Sequence, residues 1–489
     1  MATLIQGGYV IGSDGREHRL IKDGVVVFEE DKIIHVGKSY SGSVDERIDA
    51  TGKIVSPGLI NTHLHSIGPF SPAWMSDISI DEDYRLGYQN PNLLLVPTKS
   101  KVSTYGNLGE ASEKNYQAGS KWCLCVALKS GATTIVGVGI GRESDAKLYG
   151  ELGLRAYLGQ YVTDSKWFVG DGGEPYQKDF SEEMGRKTLE ESKAFIGKHD
   201  EEYASRIKGM LYVLEEGCSL NSSLKEVRKA ANELNCGIQI HVSCRNQDFV
   251  ESLLKYKNTP VGRLNDIGFW GPDVIAAHCQ NISGHSKTNY PGDDDLKILA
   301  KTGTSISHCP LVLARVMSTN MESFQKYMDY GINMTIGTDT WPQDIISEMR
   351  YASLISKITD GDRRSARALS VYNAVTINPA KALRRDDLGK LAKGMKADIV
   401  IINTKSFRWP PINDPIKCLV HAGTMDDVET VIIDGKKVVE DKKIIGVDEA
   451  AVKEDCRRAM EEELAKVPKW DYAGRTIWDI GPMSLKPLE

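Results

Sequence analysis

The chain has 489 residues, 41% of them hydrophobic, which is enough for one large domain with a smaller module beside it. Its 61 basic and 67 acidic residues are mixed along the sequence, and the formal net charge of -6 argues against nucleic-acid or membrane partners. No apolar run reaches the roughly 20 residues of a membrane span, and the N-terminus lacks a signal-peptide pattern. The nine scattered cysteines form no CxxC pair, so we expect reduced thiols in a cytoplasmic protein.

The two ends of the chain show the same sequence pattern. Residues 1–56 alternate short apolar runs with turn residues, which predicts the strands of a small β-unit. Residues 389–449 repeat this pattern, and Asp434 and Gly435 form a two-residue hairpin signal between apolar runs. We expect both ends to pair into one small β-sandwich, followed at residues 450–489 by a charged helix and a tail.

The middle of the chain, residues 57–388, alternates apolar runs rich in Val and Ile with helical patterns. Parallel strands with crossover helices produce this alternation, so we predict an α/β fold, specifically a (β/α)8 or TIM-like barrel. Residues 66–109 are too long and irregular for an ordinary connection, and we expect them to cover the site. The eight strand candidates are Ile54–Ile60, Thr133–Val138, Leu154–Val162, Ile207–Leu214, Gly237–His241, Val274–His278, Thr304–His308 and Met334–Thr338.

Potential metal ligands stand at the ends of five predicted strands. They are His63 with His65, His241, His278, His308 and Asp339. The C-terminal strand ends of such a barrel converge on one face, so these residues should surround a single point. Neutral imidazoles and a carboxylate are good ligands for Zn²⁺, Fe²⁺ or Mn²⁺. The sequence therefore predicts a metal site at this face.

The segments around these residues resemble successive signatures of the amidohydrolase superfamily, in the same order and spacing. They are PGLINTHLH (57–65), IQIHVSC (238–244), AAHCQN (276–281), TGTSISHCP (302–310) and GTDT (337–340). The segment GKLAKGMKADIVIIN (389–403) looks like the closing β-module of that family, so the resemblance covers nearly the whole chain. Within the superfamily, the chain is similar to the mononuclear subgroup of cytosine, guanine and S-adenosylhomocysteine deaminases and s-triazine hydrolases.

The resemblance implies one divalent metal ion, with Zn²⁺ expected and Fe²⁺, Mn²⁺ or Co²⁺ as alternatives. The implied ligands are His63, His65, His241 and Asp339. In the implied reaction the ion lowers the pKa of a water molecule from 15.7 towards ~7. Asp339 accepts the proton of that water and His278 contacts the substrate, so these two are the expected catalytic residues. His308 is expected to orient Asp339 from outside the ligand set.

Two positions depart from the pattern of the deaminases. These carry Glu three residues after the fifth-strand His, where it protonates or anchors a ring nitrogen, whereas this chain has Cys244. Since a thiol donates weakly, either Asn246 or Gln247 binds the substrate instead, or the substrate needs no ring protonation. After the fourth strand, Glu215 and Glu216 replace the usual His-Ala motif. Either carboxylate could bridge a second metal ion, although such groups are more often simply solvated.

Aromatic residues near the expected site indicate a small uncharged substrate. Trp74 lies in the long loop and Trp341 follows Asp339, and both could cover a ring. We therefore expect hydrolysis of a carbon-nitrogen bond in a small non-peptide amide, urea or carbamate, as in xenobiotic degradation. The alternative is deamination, dealkylamination or dechlorination of a triazine- or purine-like ring.

An alternative from another class is a non-catalytic amidohydrolase-like scaffold. Such proteins typically lose metal ligands, whereas this chain fills all four ligand positions and the position of His278. Barrels of the kind that the chain resembles are often dimers or larger, so a homo-oligomer is expected.

Overall fold

The structure is a computed structural model that describes residues 1–66, 112–138, 142–168, 177–316, 320–471 and 473–485. Two nine-stranded sheets organise these residues, one in a barrel and one built from the two ends of the chain. The predicted fold class, an α/β barrel with a small β-domain from both chain ends, is confirmed. Most of the loop predicted over the site, including Trp74, lies outside the described residues.

Eight parallel strands follow one another around the barrel in chain order. They are β1 Leu59–Leu64, β2 Ala132–Val138, β3 Arg155–Gly159, β4 Ile207–Val213, β5 Gly237–Val242, β6 Val274–His278, β7 Ser305–His308 and β8 Asn333–Ile336. The two-residue strand Tyr161–Val162 continues the path of β3 and pairs with β4. Alternate residues such as Ile60, Val136 and Tyr212 fill the inside of the barrel, as the period of two of a strand requires.

The ring closes between β8 and β1 at the predicted metal ligands. The amides of Thr338 and Asp339 donate to the carbonyl of His63 at 3.0 and 2.8 Å, and the amide of His65 donates to the carbonyl of Asp339 at 3.0 Å. Gly337 lies at this crossing, where a β-carbon would stand 2.5 Å from Cβ of His63. Barrel closure therefore brings together two ligand segments that are far apart in the sequence.

The first strand prediction, Ile54–Ile60, is wrong because this apolar run contains two strands. Ile54–Pro57 pairs with Ile399–Ile402 in the sheet of the chain ends, and β1 begins at Leu59. Gly58 separates them, and a side chain at this position would clash with Thr133. The chain thus changes sheets at a residue where only glycine fits.

The sheet of the chain ends contains strands from both termini, as predicted. Its members are Ala2–Ser13, His18–Glu29, Lys32–Gly37, Glu46–Asp49, Ile54–Pro57, Ile399–Ile402, Val428–Ile433, Lys436–Glu440 and Lys443–Ile444. The predicted hairpin turn is present, since Asp434 and Gly435 have φ of 48° and 73° and join two antiparallel strands.

A buried arginine joins the barrel to this sheet. Arg155, the first residue of β3, is 1% exposed and donates from Nε and Nη2 to Asp398 at 3.2 and 3.1 Å. It also donates to Asp434 at 2.6 Å. Because both carboxylates belong to the sheet of the chain ends, this ion-pair cluster links the two parts of the molecule.

Helices cover the outside of the barrel and continue to the C-terminus. Their bounds are Glu113–Lys129, Glu143–Glu151, Glu182–His199, Glu202–Ser205, Asn221–Leu234, Asn246–Tyr256, Pro260–Asp266, Asp294–Thr302, Pro310–Val316, Phe324–Asp329, Ile345–Asp360, Ala368–Asn373, Ile377–Ala382, Pro415–Ala422, Glu449–Leu464, Val467–Trp470 and Ile477–Ile480. A hairpin of Ser165–Phe168 with Gln177–Phe180 follows β3. Among the described helices, none is both long and apolar enough to cross a membrane.

The predicted charged helix after residue 450 packs against the first barrel helix. Asn115 donates to Glu462 and Glu463 at 2.9 and 2.7 Å, and Lys129 forms an ion pair with Glu449 at 2.6 Å. The helix Glu449–Leu464 therefore forms part of the outer layer of the barrel. None of the nine cysteines, all of which lie in the described part of the chain, forms a disulfide bond, and all nine are buried, as expected for reduced thiols.

Candidate metal centre

The predicted ligands converge at the C-terminal ends of the barrel strands. Among the described residues, two overlapping groups could hold a metal ion, with the ligand atoms of each group within 4.8 Å of one another. One group is His63, His65 and His241, and the other is His63, His278 and Asp339. His241 is half-buried and the other four are buried. All four predicted ligands and His278 thus form one cluster.

The carboxylate of Asp339 faces three imidazoles. Its Oδ2 lies 3.5 Å from Nε2 of His278 and 3.9 Å from Nε2 of His63, and its Oδ1 lies 3.7 Å from Nε2 of His65. Nε2 of His241 lies 3.3 Å from Nε2 of His65. Every Nε2 atom in the cluster therefore points to a common centre.

Hydrogen bonds at the other ring nitrogen fix two of these imidazoles. His63 donates from Nδ1 to Oε1 of Gln239 at 3.0 Å, and His241 donates from Nδ1 to the carbonyl of Leu214 at 2.5 Å. The amide of Gln239 is itself oriented, because its Nε2 donates to the carbonyl of Thr62 at 2.5 Å. A neutral imidazole carries one proton, so Nε2 of both rings keeps its lone pair for a metal ion.

The donor set fits a divalent ion. Nε2 of His63 is buried and has no hydrogen-bond partner in the described part of the chain. The Nε2 atoms of His65 and His241 lie 3.3 Å apart, a separation that two nitrogen ligands of one ion can have when each lies about 2.0–2.1 Å from it. Three imidazole nitrogens and one carboxylate oxygen are a suitable set for Zn²⁺ and for related divalent ions.

Burial determines the protonation states of the residues in the cluster. It lowers the pKa of His63, His65 and His278 well below 6.5, with a further contribution from neighbouring imidazoles, and lowers that of His241 to about 4. Burial also raises the pKa of Asp339 to about 7. The imidazoles are therefore neutral ligands, and a bound cation would favour the ionised form of Asp339.

Two residues of the cluster have strained backbones. His278 and Asp339 have φ of 67° and 59°, in the left-handed region that residues other than glycine rarely adopt. Such conformations cost roughly 1–3 kcal/mol each and are concentrated at functional sites. Both are the residues predicted to be catalytic, and the other three members of the cluster do not share this conformation.

The other residues predicted to contact the substrate differ in their burial and in their hydrogen-bond partners. Cys244 is buried, Gln247 is half-buried and donates to Glu251 at 2.9 Å, and Asn246 is exposed at the start of its helix. The carbonyl of Trp341 accepts a hydrogen bond from Arg315 at 3.2 Å, and the ring lies 5.1 Å from the guanidinium. Cys244 is the only one of these four residues that is fully buried. That any of them contacts the substrate stays a prediction.

His308 is buried near the cluster, and its Nδ1 has no hydrogen-bond partner among the described residues. Burial lowers its pKa to about 3. Its carbonyl accepts a hydrogen bond from the amide of Gly337 at 3.0 Å, two residues before Asp339. This contact links β7 to the ligand segment through the backbone, while the orientation of the Asp339 carboxylate by His308 stays a prediction.

Glu215 and Glu216 are both buried, with 2% and 1% of their surface exposed. The amide of Ser243 donates to Oε1 of Glu216 at 3.1 Å, and the thiol of Cys218 donates to Oε2 of Glu215 at 3.3 Å. Neither glutamate belongs to the two ligand groups found in the described part of the chain. A second metal ion at this position therefore stays a prediction.

Sequence reasoning missed the residues that orient the ligands. Gln239 holds His63, and the hydroxyl of Tyr161 lies 3.2 Å from Nδ1 of His65. A signal for Gln239 was present, because it stands two residues before His241 and so faces the same side of β5. Tyr161 lies on a short strand whose position the sequence pattern does not define.

Comparison with known proteins agrees with this geometry. The family model described as "Amidohydrolase family" matches residues 54–438. A 5'-deoxyadenosine deaminase of Methanosarcina barkeri is 30% identical over 468 residues, which cover 95% of this chain and 99% of the relative. A 5-methylthioadenosine/S-adenosylhomocysteine deaminase of Thermococcus kodakarensis is 32% identical over 440 residues, which cover 89% and 93%.

Solved structures share the fold at lower identity. An adenosine deaminase from Xanthomonas campestris with bound zinc has a TM-score of 0.78 and 19% identity, and the match covers 94% of this chain and 98% of that one. An atrazine chlorohydrolase from Arthrobacter aurescens, complexed with zinc, has a TM-score of 0.78 and 20% identity, with 94% and 100% covered.

The barrel and its ligand set are those of a metal-dependent hydrolase. The chain belongs to the amidohydrolase family, whose model matches most of its length. It is a hydrolase that acts on carbon-nitrogen bonds other than peptide bonds. The non-catalytic scaffold considered from the sequence is therefore not supported, since the ligand positions are filled and assembled.

Proposed function

We propose that this protein is a zinc-dependent deaminase that releases ammonia from an aminopurine nucleoside. The observation that carries the proposal is the agreement among full-length relatives: the 5'-deoxyadenosine and 5-methylthioadenosine/S-adenosylhomocysteine deaminases match 89–95% of the chain at 30–32% identity. This favours a deaminase-type reaction over the urea, amide or carbamate cleavage first expected from the sequence. One zinc ion, a cytoplasmic location and a homo-oligomeric state are parts of the proposal.

The residues of the cluster have separate parts in this reaction. A zinc ion held by His63, His65, His241 and Asp339 would supply Lewis acidity and would lower the pKa of a water molecule to about 7. Asp339 accepts a proton from the attacking water and later passes it to the leaving amino group. His278, with Nε2 3.5 Å from Oδ2 of Asp339, hydrogen-bonds the attacking oxygen. Gln239 and Leu214 hold His63 and His241 in the tautomers that leave Nε2 free.

One observation supports a second candidate function. Cys244 stands where a carboxylate would serve a ring nitrogen, and a substrate such as a urea or carbamate has no ring to protonate. Triazine-type rings with amino or chloro substituents are the related alternative, since the fold is shared with an atrazine chlorohydrolase.

A substrate panel on the zinc-loaded protein tests the proposal. Ammonia release would be measured with 5'-deoxyadenosine, 5-methylthioadenosine, S-adenosylhomocysteine, an aminotriazine, a phenylurea and a carbamate, together with the metal content of the protein. We expect ammonia from at least one nucleoside, dependent on about one zinc per chain. Turnover of the urea or carbamate alone would reject the deaminase assignment in favour of the second candidate.

A further inference from the structure

A cavity lies outside the barrel, where the sheet of the chain ends meets the helices that follow β8. Its volume is about 530 Å³, within the range of roughly 300–1,000 Å³ that is usual for small-molecule sites. The strand His18–Glu29 and the helices Ile345–Asp360, Ala368–Asn373 and Pro415–Ala422 contribute to its lining. None of the five residues of the metal cluster lines this cavity, so it is separate from the metal centre.

The residues that line this cavity carry a strongly positive charge. Five of them are Lys or Arg, whereas Asp414 is the one acidic residue of the lining. The five are Arg19, Lys357, Arg363, Arg367 and Lys417. The whole chain, by contrast, has a net charge of -6. Because a concave surface lined by one sign of charge attracts ligands of the opposite sign, the cavity favours an anion.

Carboxylates of the protein neutralise only part of this charge. Such groups lie 2.7 Å from Arg19 and 3.3 Å from Lys417. Arg363 and Arg367 are exposed and form no ion pair with any residue in the described part of the chain. Each guanidinium offers five N–H donors in a planar fork, which matches the oxygen atoms of phosphate and carboxylate groups. An anion in the cavity therefore has two unpaired arginines as partners.

The backbone between these two arginines is held in place by buried hydrogen bonds. Nζ of Lys357 donates to the carbonyls of Ser365 and Ala366 at 2.7 and 3.0 Å. It also donates to Oγ of Ser353 at 2.7 Å, and this hydroxyl donates to the carbonyl of Ala366 at 2.8 Å. Lys357 thus uses all three of its N–H donors on uncharged acceptors. Its charge adds to the positive potential of the cavity while its hydrogen bonds fix the segment that carries the two arginines.

Apolar side chains form another part of the lining. Ile11 and Ala368 are buried, whereas Leu20 and Leu369 are 43% and 52% exposed. A ligand group that covers the two leucines removes apolar surface from water, which favours binding. An apolar wall beside two unpaired arginines therefore fits a ligand in which a ring or alkyl group is bonded to an anionic group.

We propose that this cavity binds a small organic phosphate. Its phosphoryl oxygens contact Arg363 and Arg367, and its ring or alkyl group packs against Leu20 and Leu369. Phosphate is favoured over carboxylate because it presents three oxygen atoms and two negative charges to two separate guanidinium groups, whereas one guanidinium fork satisfies a single carboxylate. The proposal does not rest on the proposed function, since no residue of the metal centre takes part in it.

The first test is isothermal titration calorimetry of the zinc-loaded protein with phenyl phosphate. We expect saturable binding that is at least about ten-fold weaker in the double variant Arg363→Met/Arg367→Met, because hydrogen bonds between charged partners are lost. Arg364→Met is the matched control, since Arg364 lies between the two, does not line the cavity and pairs with Asp362 at 3.0 Å. We expect wild-type affinity in this control.

Two outcomes of this titration would overturn the proposal. One is the absence of saturable binding to the wild type at millimolar concentrations of phenyl phosphate. The other is unchanged affinity in the double variant, which would place the phosphate elsewhere, for example on the zinc ion. The melting temperature of each variant without ligand shows whether its fold is intact, and we expect the wild-type value because both arginines are exposed and have no ion pair in the described part of the chain.

A comparison of two probes separates a built cavity from general attraction between charges. We expect phenyl phosphate to bind at least about ten-fold more tightly than inorganic phosphate, because its ring covers Leu20 and Leu369. Leu369→Ser should reduce this ratio and leave the affinity for inorganic phosphate unchanged. Leu254→Ser is the control, since Leu254 is 68% exposed and does not line the cavity. Equal affinities of the wild type for both probes would indicate surface charge alone and would overturn the proposal.

A third measurement distinguishes a small molecule from a nucleic acid, whose backbone offers the same phosphate chemistry. We expect a short single-stranded oligonucleotide to bind no more tightly than phenyl phosphate. Tighter binding of the oligonucleotide, lost in Arg363→Met/Arg367→Met, would assign the cavity to a nucleic acid and overturn the small-molecule proposal. If no nucleoside is deaminated, the proposed function fails, while the calorimetric results still decide whether the cavity binds an organic phosphate.

Discussion

At the N-terminal ends of the barrel strands, the buried guanidinium of Arg155 is bonded to both Asp398 and Asp434. At the C-terminal ends, Nε2 of His63 and Nδ1 of His278 are equally buried, but neither has a hydrogen-bond partner among the described residues. An unpaired buried polar group costs about 1–3 kcal/mol, so it persists where a ligand can satisfy it. The comparison indicates that one end of the barrel maintains the fold and the other binds ligands.

The largest effect is expected at the C-terminal end. His241→Ala removes a ligand whose Nδ1 is fixed by Leu214, and we expect kcat/KM to fall by at least about a thousand-fold with loss of zinc. The fold should remain, because the core does not depend on this half-buried side chain. Activity, metal content and circular dichroism measure the three effects. His421→Ala, an exposed histidine, is the control. Full activity in His241→Ala would contradict the assignment of ligand binding to the C-terminal ends of the barrel strands.

The next effect is expected at the N-terminal end and concerns stability. Arg155→Met leaves the carboxylates of Asp398 and Asp434 buried without their main partner, which should lower the free energy of unfolding by about 3–5 kcal/mol. Urea titration gives the loss. Zinc content and kcat of the folded fraction should match the wild type, and a selective loss of zinc instead would contradict the division between the two ends.

A smaller effect is expected where Gln239 orients His63. Gln239→Met keeps the length of the side chain but removes the amide oxygen that accepts the Nδ1 proton at 3.0 Å. Partners of this kind typically contribute 10- to 100-fold to metal affinity or activity. We expect a loss of zinc affinity in that range, measured by competition with a chelator. Unchanged affinity would show that packing alone holds the ring of His63.

The smallest effect is expected for an ion pair on the surface. Arg457 pairs with Glu454 and Glu461 on the C-terminal helix, at 2.6 and 2.5 Å, with about half of its side chain exposed. Exposed pairs contribute little because solvent and salt screen them, so Arg457→Met should change the free energy of unfolding far less than Arg155→Met. Similar losses at the two arginines would mean that burial does not determine the strength of the Arg155 cluster.

The sequence was sufficient to predict the barrel and the convergence of the candidate metal ligands, because both follow short periodic patterns. His63 and His65 alternate along one strand, and the other ligands follow apolar runs of strand length. It was insufficient where the structure depends on distant partners. The run Ile54–Ile60 looks like one strand, yet it splits at Gly58 because each half pairs with a different sheet. The pairing of Arg155 with Asp398 has no local signature at all.

The sequence pattern also could not predict the backbone conformation of Asp339. Strand β8 ends at Ile336, so Asp339 lies three residues past the strand rather than directly after it. Its φ of 59° cannot be inferred from the identity of an aspartate, because tertiary hydrogen bonds to His63 impose it. The ligand was therefore predictable as a residue type, while its approach to the centre was not.

The hydrogen bonds between the His63 and Asp339 backbones have a consequence for how this chain can change its length. A residue inserted or deleted within 62–66 or 336–340 would shift one segment against the other by about 3.3 Å and turn its side chains to the opposite face. The same change in a surface loop leaves the strand register intact. Insertions and deletions can thus accumulate between the strands, whereas these two short segments must keep a fixed number of residues.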